Sequence, residues 1–248
     1  MTNEATKILD DIKKPPAIEA VFEIILEEEE DLSVDNLSIT DNAFNSRFAK
    51  KGQLSRFQGI IEDNQLLSKQ IPFGIMYSST NETELTQFRL NGFSYNNLGD
   101  YPGGDEFIKN AIYVWDQYRN CRKKIIASRM GLRFINIIKI PKSAKLTEYF
   151  SVNMNFPDNI DKIGKISQFQ YRYMFDFFDS KYESIVNFVQ QPNDDEYKNF
   201  ILDIDIIRKE LPEDIHNDII RECFKEMREV KNSVFCTHLT TKALEMYK

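Results

Sequence analysis

Three stretches of this chain alternate apolar and polar residues with the two-residue period of a β-strand, and that periodicity constrains the fold more than any other feature. IEAVFEIILE (18–27) places Ile18, Ala20, Phe22, Ile24 and Leu26 on one face, and Glu19, Val21, Glu23, Ile25 and Glu27 on the other. ISQFQYRYMFDFF (166–178) puts Phe169, Tyr171, Tyr173, Phe175 and Phe177 on one side, a stripe whose period reads as core. NFILDIDII points Phe200, Leu202, Ile204 and Ile206 inward and Asp203 and Asp205 outward. MGLRFINIIKI (130–140) is apolar on both faces and so reads as a central strand, interrupted only by Arg133 and Asn136 among its inner positions.

Further strands are expected at FQGIIEDN, PFGIMYSS, TQFRL, FSYNNL and SIVNFVQQP. Asn91-Gly92 between TQFRL and FSYNNL marks a hairpin, because that pair accepts the positive φ of a tight turn. TDNAFNSRFAKK (40–51) and KLTEYFSVN read as short helices. YPGGD leads to an Asp105 N-cap, and the helix after it carries Ile108, Ala111, Ile112, Trp115 and Tyr118 on one stripe. LPEDIHNDIIRECFKEMREV is a long final helix with Pro212 near its first turn and a stripe of Ile215, Ile219, Cys223, Met227 and Val230.

The fold expected is therefore α+β: a mainly antiparallel sheet in two similar halves, covered by a central helix and a long C-terminal helix. Residues 1–14 form an N-terminal arm and 15–248 a single domain, with pseudo-repeat halves at 15–141 and 142–248. QFRLNGFSYN and QFQYRYMFDF carry the hint of duplication.

Composition is that of a folded chain of 248 residues, 42% hydrophobic, with only nine glycines and eight prolines. No apolar run approaches the ~20 residues of a spanning helix, and no signal peptide is apparent, so a cytoplasmic location is expected. The three cysteines are then reduced thiols. A formal charge of −7 disfavours nucleic acid and favours a basic partner.

Having these segments in view, KPPAIEAVFEII, QFRLNGFSYNNLGDYPG, the Trp-containing helix, GLRFINIIKI, FILDID and IHNDIIRECF together resemble an uncharacterised, sporadically distributed bacterial family. Its members open with a Pro-Pro-x-x-Glu-Ala-hydrophobic-x-Glu-Ile strand and carry a central Gly-Leu-Arg-Tyr-Ile-Asn strand. Phe134 stands where the family has Tyr, and KEMREVKNSVFC is longer than the usual spacing. The resemblance implies no transferable active site; its patchy distribution implies a link to mobile or defence-associated genes.

Catalytic patterns are missing: there is no Gly-x-Ser-x-Gly elbow and no phosphate loop. His216, Cys223, Cys236 and His238 match no zinc spacing. Asp203 and Asp205 stand about 7 Å apart on one strand face and, with Glu19 or Glu23 as a third acid, would suit magnesium. That is the alternative reading, a magnesium-dependent phosphoryl-transfer enzyme, against the plainer one of a sheet face wetted by acids.

The main reading is a non-catalytic module that needs no cofactor and no metal and binds another protein. An immunity, antitoxin or defence component facing a basic toxin or nuclease fits best, with Glu28, Glu29, Glu30 and Asp31 of the acidic run as binding residues. Arg133, Asn136, Glu19 and Glu23 are read as structural polar residues, with Glu19 or Glu23 meeting Arg133 across a strand ladder.

Overall fold

The computed structural model describes residues 12, 14–62, 65–152, 156–164, 166–178 and 181–248. The arm expected over 1–14 lies outside these residues except for Ile12 and Lys14. Nine strands form one antiparallel sheet in the order β2-β3-β4-β5-β1-β6-β9-β8-β7. They are β1 (Ala17–Leu26), β2 (Lys50–Glu62), β3 (Gln65–Ser78), β4 (Glu84–Arg89), β5 (Gly92–Asn97), β6 (Ala127–Pro141), β7 (Gln170–Asp176), β8 (Tyr182–Gln190) and β9 (Tyr197–Arg208). Among the described residues there are four α-helices: α1 (Asn42–Arg47), α2 (Gly104–Arg119), α3 (Asn217–His238) and α4 (Thr241–Glu245). The fold is α+β, as the alternating pattern requires.

The chain is organised in two units, each assembled from non-consecutive segments, and β1 and β6 contribute residues to both. One unit contains Val21–Gly131 and Lys209–Arg221. Here β2, β3, β4 and β5 form an antiparallel meander, with a register shift at Leu54/Ser55 between β2 and β3. Its core is aromatic: Phe44, Tyr77, Phe88, Phe93, Trp115 and Tyr118 are all buried. Phe88 and Tyr118 meet edge to face at 5.2 Å, and Phe44 and Tyr77 do the same at 5.2 Å. Asp41 caps α1 by accepting from Phe44 N at 2.7 Å.

In the β4–β5 hairpin Arg89 pairs with Gly92, so the two loop residues are Leu90 and Asn91 and not the Asn-Gly pair itself. Gly92 is needed for two reasons. Its φ is 144°, and a Cβ there would sit 2.3 Å from the Ile24 carbonyl oxygen. The hairpin can therefore close on β1, where Leu26 N donates to Asn91 O at 2.8 Å. Helix α2 starts one residue before Asp105, with Gly103 at the N-cap position, so Asp105 and Glu106 fall in its first turn, where the helix dipole favours acids.

The other unit contains residues up to Ala20, Leu132–Arg208 and Glu222–Lys248. Here β7, β8 and β9 pair in unbroken antiparallel register. Helix α3 covers one face of this sheet: Lys231 Nζ stands 4.2 Å over the Phe134 ring, Tyr182 Oη donates to Glu226, and Tyr173 meets His238. The layer between holds Phe188, Phe200, Leu202, Ile204, Phe224 and Met227, all buried.

Four expectations are corrected. The final helix begins at Asn217 and not near Pro212, and it runs on through Cys236 to His238. Its buried stripe uses Ile220, Phe224, Val234 and Phe235 beside Cys223 and Met227, whereas Ile219 and Val230 are half-buried. The described residues of KLTEYFSVN hold a short 3-10 turn, Leu146–Glu148, in place of a helix. The aromatic stripe of 169–177 is half-buried and not core, because β7 is an edge strand; Tyr173 is 38% exposed and Phe178 fully so.

Candidate functional site

The face of β6, β9, β8 and β7 opposite α3 carries the polar residues that the sequence singles out. Strand alternation brings Arg133, Ile135 and Ile137 of β6 to this face, with Ile201, Asp203 and Asp205 of β9. The strand register then aligns Asp203 with Asn187 and Asn187 with Arg172, and Asp205 with Ile185 and Ile185 with Met174. The aliphatic side chains Ile135, Ile137, Ile185, Val189 and Ile201 are all half-buried here, in contrast to the sealed layer beneath α3.

At its centre Arg133 Nε donates to Asp203 Oδ1 at 2.7 Å and an Arg133 Nη to Asp203 Oδ2 at 2.8 Å. Asn187 Nδ2 donates to Asp203 Oδ2 at 3.0 Å. Asp203 is therefore a buried carboxylate, 5% exposed, and not a solvated outward acid. Its hydrogen bonds raise the Arg133 pKa above the ordinary value against the opposing effect of burial, with the charges of Asp203, Asp205 and Glu19 adding to the same direction. Asn136, on the covered face, is 4% exposed and donates to Leu202 O at 2.9 Å, tying β6 to β9.

Glu23 lies in the other unit and serves different arginines. It accepts from Arg129 at 2.8 Å and from Arg89 at 3.1 Å. Gly131 makes room for it, since a Cβ at 131 would stand 2.9 Å from Glu23 Cγ. The hydrogen-bonded partner of Arg133 is thus Asp203, across β6–β9, while Glu19 acts on Arg133 through its charge.

The magnesium arrangement drawn from Asp203, Asp205 and Glu19 meets a geometric obstacle: both Asp203 oxygens already accept from Arg133 and Asn187. Among the described residues no group of three or more His, Cys, Asp or Glu is placed to hold a metal ion. Of the other residues considered for zinc, Cys223 is buried in the α3 stripe, and His216 offers its carbonyl to Ile220 N at the helix start. His238 Nδ1 lies 2.6 Å from Val234 O, so it carries the proton, and Nε2 accepts from Tyr173 Oη.

The acidic run is largely answered within its own unit. Glu28 pairs with Arg56 at 2.7 Å, Asp31 with Lys123 at 3.9 Å, and Glu29 accepts from Arg122 Nε at 3.0 Å. Arg122, whose side chain is 1% exposed, also donates to Leu90 O, Glu27 O and Tyr118 Oη. Glu30 remains exposed. The loop is a folded turn pinned by a buried arginine.

Sequence alternation places Ile135 and Ile137 on the Arg133 face, but it does not reach Asn187, Arg172 or the half-buried Ile185, Val189 and Ile201 as parts of the same surface. The signal for Asn187 was its position as a lone polar residue inside SIVNFV; that for the others existed only in strand register. Comparison with protein-family models, with curated proteins and with solved structures finds no match.

Proposed function

We propose that this chain is a non-catalytic protein-binding module whose docking surface is the face of β6, β9, β8 and β7 opposite α3, and that its partner is a basic protein. The observation that carries this reading is the half-exposure of Ile135, Ile137, Ile185, Val189 and Ile201 around a fixed Arg133–Asp203–Asn187 row. Apolar side chains around hydrogen-bonded polar groups are the composition of a docking surface.

Charge supports a basic partner. The whole chain carries −7. Such an excess steers a cationic protein and is weakened by salt. The intramolecular pairing of Glu28, Glu29 and Asp31 leaves less of that task to the loop at 27–31. The resemblance to a sporadically distributed bacterial family adds the expectation that the partner is a toxin or nuclease and the setting immunity or defence.

The test uses tagged wild type beside Ile135→Glu and Ile201→Glu, with Lys225→Glu on the exposed side of α3 as control, in pull-downs at low and high salt. One basic protein retained by wild type and control, released by salt and lost from both face variants is expected. Retention by the face variants overturns the docking surface, and a salt-insensitive acidic partner overturns the charge argument.

A further inference from the structure

We infer that β7 is a self-association edge, at which a second copy of this chain adds its own β7 antiparallel about a two-fold axis at Met174. This does not depend on the docking partner proposed above. β7 ends the strand order, so among the described residues it pairs on one side only. Gln190 N donates to Phe169 O and Phe177 N to Tyr182 O, which places the backbone groups of the odd-numbered residues toward β8. Gln170, Arg172, Met174 and Asp176 therefore turn their N–H and C=O groups to the free edge. All four are exposed.

Edge strands ordinarily carry a device that blocks such pairing: a proline, a bulge or an inward lysine. β2, at the other end of the strand order, has a register shift at Leu54/Ser55. β7, QYRYMFD, has neither proline nor lysine and keeps register along its whole length.

The side chains select both the partner and the register. With the two-fold at Met174, edge-facing residues meet edge-facing residues, as antiparallel hydrogen bonding requires. Arg172 then stands opposite Asp176 of the second copy, twice over, with Met174 against Met174 between them. On the other face Tyr173 meets Phe175 and Tyr171 meets Phe177. Moving the axis to Arg172 would oppose the two arginines. Opposite charges and aromatic pairs at directly facing positions are what stabilise cross-strand contact. The exposed Phe178 of each copy falls opposite Gln170 of the other.

Sedimentation velocity over about 1 to 100 µM tests this, a range suited to an interface of one strand pair. Wild type is expected to move from monomer to dimer. Arg172→Asp and Asp176→Arg, both at exposed positions, are each expected to remain monomeric with unchanged circular dichroism, and the double variant to regain the dimer. A wild type that stays monomeric, single variants that still dimerise, or a double variant that does not recover would each overturn the proposal. A second measurement fixes the register: Met174→Cys is expected to form an intermolecular disulfide under mild oxidation, since facing Cα atoms stand about 5.5 Å apart. Arg172→Cys, about 14 Å from its own symmetry mate, is expected not to. Cross-linking through position 172 and not 174 would overturn the assigned pairing.

Discussion

Arg133 and Asp203 face each other as a bidentate pair joining β6 to β9, the arginine 46% exposed and the carboxylate 7% at its side chain. The asymmetry has a consequence. Arg133→Met leaves a buried carboxylate with only Asn187, whereas the guanidinium left by Asp203→Asn can turn to water. The first change is expected to cost about 2–3 kcal/mol, given the partial exposure of the arginine, and the second less. Adding Asp203→Asn to Arg133→Met should recover part of the loss. Urea denaturation of the three variants measures it; equal costs for the two single changes would contradict the asymmetry.

A second expectation separates two glycines with positive φ. Gly92, at 144°, abuts the Ile24 carbonyl oxygen, whereas Gly103, at 91°, has nothing within 4 Å of an added Cβ. Gly103→Ala carries backbone strain alone, on the order of 1 kcal/mol. Gly92→Ala adds a clash with backbone that cannot be relieved by rotating a side chain, and is expected to cost roughly 3 kcal/mol or more. Thermal melts of the pair should rank them in that order.

Arg122 links the turn after β1, the β4–β5 loop and α2 through donors to Glu29, Glu27 O, Leu90 O and Tyr118 Oη. A lysine keeps the charge but offers one ammonium in place of a planar fork. Arg122→Lys is therefore expected to destabilise by about 2 kcal/mol and to raise amide exchange at residues 27–31 first. Unchanged exchange there would show that the turn stands without it.

These relationships mark how far the sequence could be read. Alternation located most of the strands, and Phe22 and Ile24 are buried where it put them. Ile18, on the same face by period, is 44% exposed, since period says nothing about where a strand leaves cover. Arg133 and Asn136 were legible as polar residues in an apolar strand. Their partners Asp203 and Leu202 O were not, because cross-strand register depends on tertiary pairing. The aromatic period of 169–177 looked like core for the same reason: an edge strand and a central strand share a pattern, and only the neighbour count differs. The acidic run looked free because the arginine that answers Glu29 lies 93 positions away.

The last prediction concerns pH and the contact between α3 and β7. His238 is 6% exposed, and burial lowers its pKa below the ordinary histidine value against the opposing pull of Val234 O. Its neutral form is fixed in one tautomer: Nδ1–H donates to Val234 O at 2.6 Å and Nε2 accepts from Tyr173 Oη, whose own pKa burial raises. The unfolded chain binds the proton first as pH falls, so the unfolded state gains protons that the folded state refuses. The stability that His238 contributes is thus fully present above about pH 6.5 and is lost as pH falls through its lower folded value. Protonation at Nε2 would also remove the acceptor of Tyr173, which anchors β7. His238→Gln is expected to flatten the dependence of urea midpoint on pH between about 6.5 and 5, and Tyr173→Phe to leave most of it. A His238→Gln profile as steep as wild type would assign the acid sensitivity to another group.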